Sequence, residues 1–148
     1  MVVSVESIMT SDVLTVGPQT TVREAIRLIE DSDIRHLPVV EGRTLVGIIS
    51  DRDLREYRIP IMLEVERFDE EDRDRVGDIL DTSVSEVMAS DVISVDSSES
   101  VGSLLDAMIE YKVGAVPVVD RRRGELVGIV SYIDVLRYAR ELIDDDDE

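Results

Sequence analysis

The chain has 148 residues, a formal net charge of −18 from 34 acidic and 16 basic side chains, and neither Cys nor Trp. A negative surplus of that size repels phosphate-rich partners and argues against nucleic-acid binding. The absence of Cys rules out a disulfide framework or a thiolate metal site and suits a cytoplasmic protein. No apolar run approaches the ~18 residues of a membrane span, and no basic stretch followed by an apolar one opens the chain, so neither a membrane segment nor a secretory signal is expected. With 43% hydrophobic residues and one Phe, the core must be aliphatic. Lys112 is the only lysine among the basic residues. Such an acidic, Lys-poor surface suits either a merely soluble protein or one adapted to high salt, where screening offsets self-repulsion.

In chain order, a short strand over Val13–Val16 leads into the turn residues Gly17 and Pro18. A helix follows, with Val22, Ile26 and Ile29 on one face and Thr21-x-x-Glu24 as a capping box at its start. Two β-branched strands, Leu37–Val40 and Leu45–Ile49, flank the hairpin turn Glu41-Gly42-Arg43, and a second helix is expected from Ser50. Residues 56–83 form a bridge with an acidic, Arg-spotted centre. Its Asp72-x-Asp74 with Gly77 faintly suggests a calcium loop, but Ser83 stands where the closing Glu is required, so no metal site is expected. The order then recurs: strand Val92–Val95, turn Asp96–Ser98, a helix with Val101, Leu105 and Met108 on one face, strands Val116–Val119 and Leu126–Val130 about a turn at Arg121–Gly124, and a helix from Ser131. The tail DDDDE is expected to be solvated.

The recurrence is a duplication. SIMTSDVLTV at 7–16 answers EVMASDVISV at 86–95, RHLPVVE at 35–41 answers GAVPVVD at 114–120, and VGIISDRDL at 46–54 answers VGIVSYIDV at 127–135. The order β-α-β-β-α occurs twice, as repeat 1 over residues 1–58 and repeat 2 over 84–143, with a linker at 59–83 and an acidic tail at 144–148.

The closing phrase Gly-x-x-Ser-x-x-Asp admits two readings. A Ser at a helix start with an acid three residues on is a capping box worth about 1 kcal/mol, and the Gly can ease a bulge or a close approach. Alternatively, the Asp carboxylate accepts both hydroxyls of a ribose, the Ser at a helix start meets a phosphate or ribose oxygen, and the Gly leaves room for a flat base. One residue can serve both.

In their order and duplication these motifs resemble the CBS domain, named for cystathionine β-synthase, and the tandem resembles a Bateman module. The resemblance covers nearly the whole chain apart from the linker and tail. It implies an α/β (α+β) fold in which two repeats pack sheet to sheet about a pseudo-two-fold axis. It also implies two clefts, adenosine ligands (AMP, ADP or ATP, or else S-adenosylmethionine or NAD, with Mg²⁺ accompanying ATP), no required cofactor, and a flat homodimer. Each cleft would be composite. One would combine Ser131 and Asp134 with Thr10, Asp12, Val13, Arg35 and His36; the other Ser50, Arg52 and Asp53 with Asp91, Val92, Gly114 and Ala115. On that grouping the Asp134 cleft holds more basic groups and is expected to prefer the more phosphorylated ligand. His36 can equally be a surface residue at a strand edge. The arginines at 121–123 fit an exposed hairpin tip or a supplementary phosphate contact, and Met9, Met88 and Met108 fit either core or an adenine slot.

Three functional classes follow. Catalysis is disfavoured, since the chain has no Cys nucleophile, one His without an evident Ser partner, no P-loop and no metal-ligand spacing. A nucleotide sensor acting on a separate partner protein is the leading expectation, and a ligand-free dimerisation module is the alternative.

Overall fold

The structure, a computed structural model, describes residues 2–64 and 69–146. It is mixed α/β, built around two aliphatic cores, with the full β-α-β-β-α order present in repeat 2 and its opening strand missing from repeat 1. Helix α1 (Val22–Ser32) starts where Thr21 Oγ1 accepts the Glu24 N–H at 3.2 Å, the forward half of the capping box. Strands β1 (His36–Glu41) and β2 (Thr44–Ser50) pair across a turn in which Gly42 has φ 61°, a left-handed conformation that glycine adopts without strain. Helices α2 (Arg58–Glu64) and α3 (Glu70–Leu80) occupy the linker. Strand β3 (Val95–Asp96), helix α4 (Val101–Tyr111), strands β4 (Ala115–Asp120) and β5 (Glu125–Ser131) and helix α5 (Tyr132–Asp146) complete the chain. β3 runs parallel to β4 and β4 antiparallel to β5, with a bulge that leaves Val127 between the pairs Val118–Gly128 and Val119–Leu126.

Four expectations are corrected. Val13–Val16 is not a strand, only Val16 bridging to Val39 of β1, and the strand expected over Val92–Val95 is instead the two-residue Val95–Asp96. No helix starts at Ser50: turns and a 3₁₀ segment at Arg55–Tyr57 precede α2. Pro60 supplies the reason. A helix continuous from Ser50 would set its ring against the Glu56 carbonyl, whereas a start at Arg58 puts it in the first turn, where its missing N–H costs nothing. On α4 the buried central residue is Leu104, with Leu105 only half-buried. The acidic tail begins inside α5, where Asp144 and Asp145 are exposed; Asp147 and Glu148 lie outside the described residues. The segment once suggestive of a calcium loop is α3, capped by Asp69, whose carboxylate accepts the Asp72 N–H at 2.9 Å.

The chain separates into two compact units that do not follow the repeats. One comprises residues 1–13, 43–45 and 93–148, the other 14–42 and 46–92. Each therefore takes its opening arm from the opposite copy. In the first, Val5 is fully buried with Val95, Leu104, Val116, Val118 and Val130, and its N–H donates to the Glu99 carbonyl at 2.8 Å. In the second, Val84 is fully buried with Val22, Ile26, Leu37, Val39 and Ile49, and its N–H donates to the Thr20 carbonyl at 2.7 Å. The helix starts echo one another too: Val22 N–H donates to Thr82 and Val101 N–H to Val3. Among the described residues no helix is long and apolar enough to cross a membrane.

Candidate functional site

The two Gly-x-x-Ser-x-x-Asp phrases lie at matching places, each at the end of a hairpin's second strand. At the end of β2 the Ser50 N–H donates to Asp53 Oδ2 at 2.9 Å and the Asp53 N–H donates to Ser50 Oγ at 3.2 Å, a reciprocal capping box. At the end of β5 the Ser131 N–H donates to Asp134 Oδ2 at 2.9 Å, and the Ser131 hydroxyl lies 3.2 Å from the same oxygen. The capping box is therefore complete at Ser50, while at Ser131 its backward half is formed and the Ser hydroxyl turns to the carboxylate.

The surroundings of the two carboxylates differ. Asp134 is 8% exposed, the buried charged residue of the chain among those described. Its Oδ1 accepts the Thr10 hydroxyl at 3.0 Å, and Arg137, one helical turn on, stands 3.8 Å from that oxygen. Asp53 is exposed, and among the described residues its Oδ1 has no hydrogen-bond partner. One substitution in the duplicated arm accounts for much of this. Thr10 bridges Ile129 through its backbone just as Ala89 bridges Ile48. At Ala89 a methyl replaces the hydroxyl, so nothing there can donate to Asp53.

The glycines are filled by protein. A Cβ on Gly47 would sit 2.3 Å from Met88 Sδ and 3.1 Å from the Ala89 carbonyl, and one on Gly128 would sit 2.5 Å from Met9 Sδ and 2.9 Å from the Thr10 carbonyl. The glycines thus admit the arm backbones and their methionines, which corrects the expectation of a space left for a base. Met108 is core.

The residues preceding the prolines attach to the phrase of their own repeat. The Asp51 N–H donates to the Arg35 carbonyl at 2.8 Å, and the Tyr132 N–H to the Gly114 carbonyl at 3.2 Å; Ala115 is the strand partner of Ser131. Burial holds the His36 imidazole below its ordinary pKa of 6.5; the Asp53 carboxylate pulls the other way, with Arg35 lowering and Asp51 raising by smaller amounts. Arg35 and His36 therefore adjoin Ser50, Arg52 and Asp53 within one unit, and Gly114 and Ala115 adjoin Ser131 and Asp134 within the other. This regroups the sequence expectation and removes the electrostatic ground for ranking the Asp134 group first. Thr10 is held to Asp134 as expected. Asp12 and Asp91 are exposed and Val13 and Val92 half-buried, and no hydrogen bond or ion pair among the described residues joins them to the carboxylate of their unit. The arginine turn is a hairpin tip: Arg121 pairs with Glu99 at 3.2 Å and Arg123 stands 3.9 Å from Asp120.

Two residues escaped the sequence reading. Arg137 was discoverable, standing three residues after Asp134 on one helix face. Arg58, which pairs with both Glu30 and Asp51, was not, because a long-range fold brings α1 and the Ser50 turn to it. No group of three His, Cys, Asp or Glu side chains able to hold a metal ion occurs among the described residues.

Comparison with known proteins gives a consistent result. Residues 5–60 and 84–141 match the CBS domain. The CBS domain-containing protein YhcV of Bacillus subtilis is 32% identical over 132 residues, covering 89% of this chain and 82% of that protein. The crystal structure of CBSX2 in complex with AMP superposes with a TM-score of 0.75 at 26% identity, covering 94% of this chain and 97% of that one. The CBS domain pair of MJ0100, in complex with 5-methylthioadenosine and S-adenosyl-L-methionine, gives 0.74 at 25% identity, covering 95% and 98%. Other relatives are longer: the chain spans 23% of the inosine-5'-monophosphate dehydrogenase of Korarchaeum cryptofilum.

Proposed function

The chain belongs to the CBS-domain family, and from that premise we propose that it is a regulatory module that binds an adenosine nucleotide of the AMP, ADP or ATP kind and acts, as a homodimer, on a separate protein. The observation that carries the reading is Asp53: an exposed carboxylate, oriented by its own cap, with Oδ1 unpartnered and its charge felt by His36, which Arg35 also adjoins, and with Arg52 next to it in sequence. A ribose diol needs two acceptor positions on one carboxylate, and the remaining lone pairs of Asp53 supply them. The neighbouring cations suit phosphate, so the Ser50–Asp53 group takes the more phosphorylated ligand, with Mg²⁺ entering only alongside ATP. Asp134, already engaged by Thr10 and Arg137, suits a ligand held mainly by its adenosine part. CBSX2 in complex with AMP, and the MJ0100 CBS domain pair in complex with 5-methylthioadenosine and S-adenosyl-L-methionine, support the ligand class. The cysteine-free composition supports a cytoplasmic setting. The regulatory action follows if the ligand binds one arrangement of the chain better than another.

A second reading, a dimerisation module that takes no ligand, is favoured by the two occupied glycine spaces and by Ser-to-Asp contacts that form in both phrases without one. Thermal unfolding with AMP, ADP, ATP with and without Mg²⁺, S-adenosylmethionine and NAD separates the two. A nucleotide at a hundred times its Kd adds about 2.7 kcal/mol of stability, and no shift with any of them overturns the sensor.

A further inference from the structure

The two closing carboxylates differ in how much acceptor capacity they have left. An ionised carboxylate offers about four acceptor positions, shared between its oxygens. On Asp134, Oδ2 already takes the Ser131 N–H at 2.9 Å and the Ser131 hydroxyl at 3.2 Å. Oδ1 takes the Thr10 hydroxyl at 3.0 Å, with Arg137 3.8 Å from it. A protein hydroxyl thus sits on each oxygen of Asp134, as the paired hydroxyls of a ribose would. Asp53 is emptier. The Ser50 N–H uses its Oδ2, but the Ser50 hydroxyl turns the other way and accepts the Asp53 N–H. Ala89, which holds the place of Thr10 at the Ile48 bridge, has no hydroxyl to offer.

We propose that Thr10 is a selectivity gate: its hydroxyl stands on Asp134 in place of a ligand hydroxyl, so a vicinal diol enters only by displacing it. The gate rests on the reading of these carboxylates as ribose acceptors and adds the residue that decides which ligands pass. A carboxylate only 8% exposed is costly to leave short of donors, and Thr10 supplies one while the site is empty. Asp53, being exposed, has water for that purpose. Thr10 is also the donor that can leave. Ser131 belongs to the phrase itself, whereas Thr10 is an exposed residue of the opening arm. Its backbone is held independently, its N–H donating to the Ile129 carbonyl and the Ile129 N–H to its own carbonyl, each at 2.9 Å. A turn about the Thr10 Cα–Cβ bond therefore gives the hydroxyl to water while the arm stays paired. A diol brings two donors for the one it expels, but a single hydroxyl merely exchanges. The gate accordingly favours ligands that carry both.

Calorimetry with adenosine on the full chain carrying Asp53→Ala, which leaves Asp134 as the diol acceptor, is the test. Thr10→Val keeps the branched shape and loses the donor. It should tighten adenosine roughly tenfold, the worth of one hydrogen bond to a charged group. Thr10→Ala is a second donor-free variant and should act in the same direction, whereas Thr10→Ser keeps the donor and should bind as the parent does. 2′,3′-Dideoxyadenosine, which brings no diol, should gain nothing from Thr10→Val. Circular dichroism should report the parent fold in each variant. Equal adenosine affinity in the Thr10→Val and Thr10→Ser chains, or a gain shared by the dideoxy compound, overturns the gate and leaves nucleotide binding standing. AMP binding to the unaltered chain, with no adenosine binding once Asp53 is removed whatever stands at position 10, also overturns it. Failure of AMP, ATP and adenosine on the unaltered chain and every variant overturns the nucleotide reading, and the gate with it.

Discussion

Asp53 and Asp134 close the same phrase, descend from one ancestral position and cap their segments through the same Ser amide, yet one is exposed and the other 8% exposed with a full set of partners. The difference comes from the arm opposite each: a threonine in one unit and an alanine in the other, at identical backbone bridges. Capping geometry is thus a shared inheritance, while the carboxylate's spare capacity is set from outside the motif.

The comparison can be broken most forcefully at Asp53. Asp53→Ala should weaken binding of the phosphorylated nucleotide roughly a hundredfold, since two charge-assisted hydrogen bonds of about 1.5 kcal/mol each are lost. Calorimetry checks this, and an equal or larger loss from Asp134→Ala would reverse the assignment of the two groups. The glycine pair is the next lever. Gly128→Ala drives a methyl to within 2.9 Å of the Thr10 carbonyl and should cost about 2 kcal/mol in urea unfolding. Met9→Ala should relieve only the sulfur contact and leave part of that cost. Exchanging the arms sharpens the contrast. Thr10→Ala should cost about 1.5 kcal/mol by withdrawing a donor from a buried carboxylate. Ala89→Thr should add a donor for Asp53, stabilising slightly while weakening nucleotide binding. The smallest effect concerns His36. Its folded pKa lies below 6.5, so the unfolded chain binds the proton more readily and stability falls as pH drops below about 6.5. His36→Asn should flatten that part of the stability–pH curve by under 1 kcal/mol, measured as the difference from wild type.

The duplication made much of the fold legible. Two hairpins with glycine turns, helices with matching apolar faces and caps at Thr21 and in both Ser-x-x-Asp phrases all follow from local rules that hold wherever the residues end up. Where a local rule met a competing one, the reading slipped: Pro60 delays the helix after Ser50, and Leu104 displaces Leu105 because the strand beneath α4 selects the face. The grouping of the site residues was legible only in part: Thr10 of the opening arm was placed with Asp134, where it lies, but the residues before the prolines were not placed correctly. Arg35 and His36 were placed with the other repeat's carboxylate because no spacing brings the start of β1 beside the end of β2, where the Asp51 N–H meets the Arg35 carbonyl. Nor does sequence order by itself say which copy's arm closes on which body. That choice is made by long-range burial of Val5 and Val84, and no spacing within a repeat encodes it.

The crossed arms also govern the order in which the molecule can be made. Val5 is synthesised about ninety residues and more ahead of its burial partners Val95, Leu104, Val116, Val118 and Val130, so this arm must wait for them before it has somewhere to go. The body built around Val22 and Leu37 is in the same position until Val84 appears. A gene cut between the repeats would yield two fragments, each carrying the other's missing piece. Neither should fold alone, and co-expression of both should restore a folded pair. Such long-range closure makes maturation of the nascent chain slow, and it ties the integrity of either Ser-x-x-Asp carboxylate to the synthesis of both repeats.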